Sequence, residues 1–367
     1  MKRPSILYVI DDLGRGGAET LLMGILPELS SRFEVIIVTL TGKYEFGESD
    51  LAGIEKFSLN FSGKLSLLPA VNKLKKIIKE MKPELVHAHL LQSSIIARMA
   101  CPRSIPLVYS LHTIMSKDAF DNSVLYRWLE KITVKPWHRV ITVSQAVLDD
   151  YRTIINFRGP SHVLRNYVAN NFVSVRRQPL NISAGGPIKL VAVGNIKPVK
   201  NYAYLLNAMA QLRDVPVSLE IYGSGEASAI AALQSDIDRM NIAVTLKGMA
   251  DNIAALLPAY DLFVMSSTYE GFGIAPVEAM ALGLPLLLSD IPVFREITEG
   301  NALFFDLRSP DVFAALVTEI LEGKHDFSGM SARGMQVADE RYSKATYLER
   351  LFLIYKEMLE CTASNKN

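Results

Sequence analysis

The chain has 367 residues, of which 49% are hydrophobic and 21% charged, and its formal net charge is +1. This length suggests two domains, and the balanced charge gives no reason to expect nucleic-acid binding, which usually shows as a strongly basic face. The two cysteines, Cys101 and Cys361, form neither a disulfide framework nor a zinc motif, so we expect a reducing, cytoplasmic compartment.

Short apolar runs alternate with helical patterns along the first half of the chain. They are nearly continuous in valine, isoleucine and leucine, which is typical of parallel strands covered by helices on both faces. The first run is too short for a signal peptide and leads directly into Asp11 and Asp12, and no run approaches the ~18 apolar residues of a membrane span. Strands are predicted over residues 5–10, 33–40, 84–90, 106–112 and 139–144, with helices over residues 18–32 and 67–82.

The stretch QPLNISAGGP, residues 178–187, interrupts this pattern with proline, glycine and polar residues. The alternation then restarts, with strands predicted over residues 188–194, 217–223, 243–248, 261–267 and 284–290. We therefore predict an α/β protein with two Rossmann-like, doubly wound domains. The first is predicted over residues 1–183, the second over residues 184–341, and a tail helix over residues 342–367.

The stretch EGFGIAPVE, residues 270–278, lies where a predicted strand meets a predicted helix. Pro276 suits the first turn of this helix, which would begin near Ala275 and end at Gly283. The glycines of the loop allow a ligand to approach the backbone, and the free N–H groups of the first helical turn favour an anion such as phosphate.

Glu278 would lie in the first turn of this helix, close enough to accept hydrogen bonds from a ribose. Glu270 lies before the turn, on the other side of the phosphate position. Two hydrogen-bond acceptors on either side of a phosphate site fit a nucleotide sugar. For an isolated pair, the simpler interpretation is that Glu278 stabilises the helix dipole and Glu270 is a solvated loop residue.

The stretch resembles the E-x7-E motif of the retaining nucleotide-sugar glycosyltransferases of family 4, which have the GT-B fold. The similarity is specific over residues 248–290 and weaker along the rest of the chain. It implies two Rossmann-like domains that face a central cleft. The second domain would bind the nucleotide sugar, the first would bind the acceptor, and the tail helix would pack back towards the first.

The resemblance also implies roles for individual residues. Glu270 would contact hydroxyls of the donor sugar, and Lys200, in GNIKPVKN, would stabilise the leaving diphosphate. Asn195 stands at a donor-binding position where relatives usually carry an arginine, so one cation is missing or is replaced by Lys197. The other donor-binding residues of this domain would line the sugar, diphosphate, base or ribose: Ala250, Gly271, Phe272, Gly273, Ile274, Ala275 and Glu278.

In the first domain, GRGGAE, residues 14–19, is a glycine-rich turn before a helix and is suited to close approach by phosphate or sugar. It lacks the complete dinucleotide-binding pattern, which disfavours a nicotinamide enzyme. It resembles the GGAE loop of family 4, which makes Gly16 and Gly17 donor-facing and Glu19 structural.

Histidines and paired aspartates are the remaining candidates. His112 ends a predicted strand, where relatives place a histidine near the primary hydroxyl of the donor sugar, so it is predicted to be catalytic. His87 and His89 share one face of a strand, and packing is favoured over metal binding because no third ligand accompanies them. Asp236 and Asp238 fall in a helical pattern and are interpreted as a solvated face. We therefore expect no metal and no cofactor.

The predicted helix over residues 67–82 carries five lysines: Lys73, Lys75, Lys76, Lys79 and Lys82. The simpler interpretation is a crossover helix with a solvated basic face. The alternative is peripheral contact with an anionic membrane, to which the aromatic and basic stretch of residues 126–139 could add.

The sequence thus predicts a retaining, metal-independent glycosyltransferase. A UDP-sugar is favoured as the donor over GDP-mannose, and the acceptor is a glycan or a lipid-linked glycan. The resemblance suggests synthesis of a bacterial surface polysaccharide such as lipopolysaccharide or capsule. Two alternatives stay open: a GT-B enzyme that epimerises or hydrolyses a sugar nucleotide, and a non-catalytic module that binds one.

Overall fold

The computed structural model describes residues 3–14, 16–118, 124–176 and 186–364. It divides into two compact units, one containing Met1–Asn166 and Ala345–Asn367, the other containing Tyr167–Lys344. The predicted linker near residue 184 lies outside the described residues. Residues 167–176 group with the second unit, where Arg176 donates to Asp339 and to the carbonyl oxygen of Ala281.

The described part of the first unit forms a parallel sheet of seven strands. The strands are β1 (Ser5–Ile10), β2 (Glu34–Thr39), β3 (Glu55–Ser58), β4 (Leu85–His89), β5 (Leu107–Leu111), β6 (Arg139–Thr142) and β7 (Ser161–Val163). Their order across the sheet is β3-β2-β1-β4-β5-β6-β7. The direction of winding reverses between β1 and β4, and ligands bind such sheets beyond the carboxyl ends of the strands at this point.

The crossover helices of this unit cover the sheet with apolar faces. They are α1 (Gly17–Arg32), α2 (Leu67–Met81), α3 (Leu91–Ala100), α4 (Val124–Thr133) and α5 (Gln145–Ile155). The helix α2 packs on α3, and α3 packs on α4. One apolar face of α2 is buried, as the periodicity predicts, whereas Leu68 near its start is exposed. The four lysines of α2 and Lys82, which follows it, are exposed.

The second unit has a parallel sheet of six strands in its described residues, in the order β10-β9-β8-β11-β12-β13. The strands are β8 (Ile188–Val193), β9 (Val217–Tyr222), β10 (Val244–Gly248), β11 (Leu262–Met265), β12 (Leu286–Ser289) and β13 (Leu303–Phe305). The helices are α6 (Asn170–Ser174), α7 (Tyr202–Ala210), α8 (Ala227–Met240), α9 (Ile253–Leu256), α10 (Ile274–Ala281), α11 (Pro292–Thr298), α12 (Pro310–Leu321) and α13 (Phe327–Tyr342).

The last helix, α14 (Lys344–Ser364), belongs almost entirely to the first unit. The rings of Phe33 and Phe352 lie 5.8 Å apart, and the hydroxyls of Tyr8 and Tyr355 lie 2.6 Å apart. The end of the chain therefore supplies buried side chains to the sheet that the start of the chain forms.

The two-domain α/β prediction is confirmed, and each strand predicted from the sequence is present with small shifts of its ends. Three edge strands, β3, β7 and β13, were not predicted. They are three or four residues long: β3 (EKFS) and β7 (SHV) contain polar residues, and β13 (LFF) is apolar but too short to give the longer apolar run of a central strand. None of the helices that the structure describes combines the length and apolar character needed to cross a bilayer.

Candidate functional site

The loop between β11 and α10 has the backbone that the sequence predicts. Gly273 adopts φ +80°, and a Cβ atom there would lie 2.8 Å from Cε1 of Phe294, so both conformation and space require glycine. The helix begins at Ile274, and no side chain caps its N-terminus. The N–H groups of Ile274 and Ala275 have no acceptor within the helix, and with the helix dipole they favour an anion.

At the surface of this loop Phe272 offers only its backbone to a ligand, because its side chain is buried. Its ring is 4% exposed and packs edge-on against Tyr342, with ring centroids 5.6 Å apart. This contact ties the loop to α13, and Gly271 beside it is also buried. Packing of Phe272 against α13 therefore fixes the position of the loop.

Lys200 and Glu270 form an ion pair at the carboxyl edge of the sheet. Lys200 Nζ donates to Glu270 Oε1 at 2.6 Å, and Ser267 Oγ donates to the same oxygen at 2.7 Å. The two charged side chains are only 17% and 14% exposed. Ser266 Oγ donates to the carbonyl oxygen of Lys200 at 2.8 Å, which fixes the backbone of the lysine against β11. The structure thus joins the two predicted catalytic residues of this unit.

Glu278 is a half-buried carboxyl group and the fifth residue of α10, so it lies in the second turn of the helix and not in the first turn that the sequence predicts. No hydrogen bond or ion pair to its side chain is formed by the described residues. Burial raises the pKa of Glu278 to about 8, because the charged form loses hydration. A ligand that donates hydrogen bonds to the carboxylate would lower this pKa again.

The turns after β8 and β9 bring two backbone segments into close contact. A Cβ atom at Gly223 would lie 2.1 Å from the carbonyl oxygen of Gly194, so only glycine fits there. Asn195 is exposed, and its Oδ1 accepts a hydrogen bond from Ser224 Oγ at 3.1 Å. Ala250 lies two residues after β10, which is an edge strand of the sheet.

In the first unit, the glycine-rich turn starts α1. Gly16 is the N-cap residue, and a Cβ atom there would lie 2.2 Å from Glu19 Oε2. The glycine therefore lets Glu19 fold back over the helix N-terminus, where burial raises its pKa. Gly17 has open space around its Cα, and Arg15 lies outside the described residues.

His87 and His89 of β4 and His112, after β5, form a cluster that was not predicted from the sequence. His87 is bonded through both ring nitrogens, to Tyr355 at 2.6 Å and to Ser110 at 2.7 Å. His89 Nδ1 lies 3.2 Å from Nε2 of His112, which directly follows β5. Burial lowers the pKa of His112 to about 4. The three histidines are therefore neutral at physiological pH.

Asp11 is a further polar residue at this edge that sequence reasoning did not use. Its Oδ1 accepts hydrogen bonds from Ser93 N at 3.1 Å and from Ser93 Oγ at 2.6 Å, so it caps the first turn of α3. Burial raises its pKa. The signal available in the sequence was the position of the aspartate directly after β1.

Asp236 and Asp238 lie on the exposed surface of α8, where they bond Arg239 and Gln234 of the same helix. Across the described ranges of the chain, no group of three or more histidine, cysteine, aspartate or glutamate side chains is arranged to hold a metal ion.

Comparison with known proteins agrees with this architecture. The crystal structure of Anabaena Alr3699/HepE in complex with UDP has a TM-score of 0.81 to this chain at 22% identity, covering 96% of this chain and 100% of that one. Residues 15–170 match the family model "Glycosyltransferase Family 4", and residues 177–336 match "Glycosyl transferases group 1". The protein is a glycosyltransferase with the GT-B fold.

Two curated relatives of this glycosyltransferase are bacterial. The O-antigen chain mannosyltransferase RfbU of Salmonella typhimurium is 28% identical over 54% of this chain and 55% of its own length. The UDP-Gal:alpha-D-GlcNAc-diphosphoundecaprenol alpha-1,3-galactosyltransferase of Escherichia coli is 26% identical over 68% of this chain and 70% of its own length.

Proposed function

We propose that this glycosyltransferase transfers a sugar from a nucleotide-diphosphate sugar to a glycan or lipid-linked glycan, with retention of configuration and without a metal ion. The observation that carries the proposal is the Lys200–Glu270 pair near the start of α10. A cation and a set of free helix N–H groups suit a diphosphate, and nearby carboxyl groups suit the hydroxyls of sugar and ribose.

The chemistry of the leaving group follows from these parts. As the bond between the sugar and the diphosphate breaks, negative charge grows on the diphosphate, and Lys200 with the N–H groups of α10 stabilises it. When the donor binds, before this bond breaks, Glu270 exchanges its ion pair with Lys200 for hydrogen bonds from the hydroxyls of the donor sugar. Retention rests on the resemblance of residues 270–278 to the E-x7-E motif, with the leaving diphosphate helping to deprotonate the acceptor hydroxyl on the same face.

A UDP-sugar is favoured as the donor over GDP-mannose. The HepE structure contains UDP and the Escherichia coli relative uses UDP-galactose, whereas RfbU is a mannosyltransferase. Thermal unfolding with UDP, GDP and ADP tests the choice, because a ligand that binds the folded state raises its stability by mass action. The largest shift is expected with UDP, and a larger shift with GDP would reverse the assignment.

Transfer is distinguished from epimerisation, hydrolysis and simple binding by product analysis. We expect UDP release from UDP-galactose or UDP-glucose only when a polyprenyl-diphosphate-linked N-acetylhexosamine is present, with an α-linked product. Activity should persist in excess EDTA. Sugar release without the acceptor, or a free epimer, would favour the alternatives, and loss of activity restored by Mg²⁺ or Mn²⁺ would contradict metal independence.

Peripheral membrane contact is the last part of the proposal. In α4 the apolar side chains of Val124, Trp128 and Ile132 are spaced four residues apart and exposed, with Lys131 and Lys135 nearby, also exposed. An amphipathic helix with an exposed apolar face and basic neighbours is suited to the surface of an anionic bilayer. The lysines of α2, two helices away, add positive charge.

A further inference from the structure

We infer that His89 is a positioning residue that holds His112 in the tautomer with its proton on Nδ1, so that His112 presents an N–H donor to the substrate. The inference rests on the proposed role of His112 at the donor sugar and specifies the chemistry of that role. It makes His112 a hydrogen-bond donor to a hydroxyl oxygen and excludes it as a general base.

The position of His89 leaves its ring few ways to bond. The residue is 3% exposed, and its ring lies 4.1 Å from the ring of His87 and 5.8 Å from the ring of Tyr8, measured between centroids. Since both rings pack near it, hydrogen bonds can form only at the nitrogen edges. Nδ1 lies 3.2 Å from His112 Nε2, whereas Nε2 is buried and has no hydrogen-bond partner among the described residues.

Two tautomer pairs can form the bond between His89 and His112. In the first, His89 Nδ1–H donates to His112 Nε2, and the buried Nε2 of His89 is an unpaired acceptor. In the second, His112 Nε2–H donates to His89 Nδ1, and Nε2 of His89 is an unpaired buried N–H donor. Unpaired buried N–H groups are rarer in folded proteins than under-satisfied acceptors, so the first pair is favoured.

His89 and His112 are both neutral, so each ring has a proton on only one of its two nitrogens and must adopt one tautomer. Burial lowers the pKa of His112 to about 4 and that of His89 well below its usual range, with His87 and His112 contributing to the second shift. Each ring therefore carries one proton at neutral pH. With Nε2 of His112 engaged by His89, the remaining proton of His112 is on Nδ1.

The backbone beside His89 also fixes the pair. Leu90 has φ +70° and ψ 167°, a region that is populated almost only by glycine. The register of β4 and β5 sets His89 opposite Ser110, two residues before His112. The strained residue and the strand pairing together hold the imidazole of His89 towards the end of β5.

The direct test is nuclear magnetic resonance of the full-length protein labelled with ¹⁵N in its six histidines. Long-range ¹H–¹⁵N correlation distinguishes the protonated nitrogen of each ring, and single histidine variants assign the signals. We expect His112 to carry its proton on Nδ1 and His89 to carry its proton on Nδ1. A proton on Nε2 of His112 overturns the inference, whatever the activity of the enzyme.

Two variants separate positioning from a structural role. In His89→Asn the amide nitrogen replaces Nδ1–H, so the tautomer of His112 and most of the activity should be kept. In His89→Leu the donor is lost, and we expect a mixture of His112 tautomers and a fall in kcat/KM of about tenfold, the size of one hydrogen bond. If His89→Leu alters stability alone, with the tautomer of His112 unchanged, the positioning role is wrong.

The same experiments keep the inference apart from the proposed function. If His112→Ala retains full kcat/KM with UDP-glucose while the wild-type tautomer is as expected, the donor-sugar role of His112 fails and the positioning by His89 stands. If His112→Ala is inactive and the wild-type tautomer is the opposite one, the proposed function stands and the inference fails.

Discussion

Glu278 is the residue whose ionisation should be most sensitive to the ligand. Ribose hydroxyls that donate to its carboxylate favour the charged form, whereas burial raises its pKa to about 8 without ligand. Binding below pH 8 must therefore release a proton. We expect the affinity for UDP-glucose to rise with pH by at most about tenfold per unit and to level off above pH ~8.

Isothermal titration calorimetry between pH 6 and pH 9 measures how the affinity for UDP-glucose depends on pH. UDP-glucose is suitable because its diphosphate does not titrate in that range. Glu278→Gln is the matched control, since it keeps the shape of the side chain and removes the ionisation. The variant should bind more weakly, with no such slope. A wild-type affinity that is flat with pH would contradict the ribose-binding role.

The same residue predicts a trend in stability without ligand. The folded state holds the proton of Glu278 up to pH of about 8, whereas the unfolded chain loses it near its usual pKa of 4.5. The contribution of this group to stability is therefore greatest below pH 4.5 and falls as the pH rises towards 8. In chemical denaturation, the free energy of unfolding of Glu278→Gln should increase relative to that of the wild type as the pH rises from 4.5 to 8. A difference in free energy that does not change with pH would argue against the raised pKa.

Lys200 offers a comparison between two lysines of one loop. Lys200 is mostly buried and paired with Glu270, whereas Lys197 is exposed. Lys200→Ala should lower kcat by roughly 10²–10³, the usual effect of removing one group that stabilises transition-state charge. Lys197→Ala should have a small effect. Steady-state turnover of UDP-galactose measures kcat for both variants. A larger loss of kcat in Lys197→Ala would mean that Lys197 takes the place of the arginine that relatives carry at position 195.

At the scale of elements, one hydroxyl group of α14 bonds two residues of the first sheet. Tyr355 lies 2.6 Å from both Tyr8 OH and His87 Nδ1. Tyr355→Phe leaves both of these buried atoms without this partner and should lower the free energy of unfolding by about 1–3 kcal/mol. Denaturant titration measures the change. Tyr44→Phe, which removes a half-buried hydroxyl 3.2 Å from Thr39, is the control and should have a smaller effect.

The elements also show what sequence could and could not predict. Central strands and the start of α10 were predictable because continuous apolar runs, Gly273 and Pro276 determine them locally. The contact of His89 with His112 was not, because it depends on the register of β4 against β5. The partner of Glu270 could not be predicted either, because Lys200 lies seventy positions earlier in the sequence. The two side chains come together only because β8 pairs with β11.

At the scale of the whole molecule, the two tryptophans report on the proposed membrane contact. Trp128 and Trp137 are the tryptophans of the chain, and they are 56% and 49% exposed. We expect a blue shift of tryptophan emission with vesicles containing phosphatidylglycerol and none with phosphatidylcholine vesicles alone. High salt should weaken the effect, because screening shortens the range of the attraction.

Trp128→Ala and Trp137→Phe separate the contributions of the two side chains to this signal. The shift should disappear in the first variant and persist in the second. Co-sedimentation of the same samples shows whether the protein binds at all. Equal binding to neutral and anionic vesicles would contradict the electrostatic part of the proposal, and no binding in an active preparation would leave α4 an ordinary crossover helix.

The division of the chain has a consequence for its synthesis on the ribosome. The second unit is a continuous segment, Tyr167–Lys344, whereas the first needs residues from both ends of the chain. Domains fold largely as they emerge, and nearly all of the second unit leaves the ribosome before Tyr355 does. Until that residue is released, Tyr8 and His87 lack their shared partner, and the first-made unit is the last to be completed.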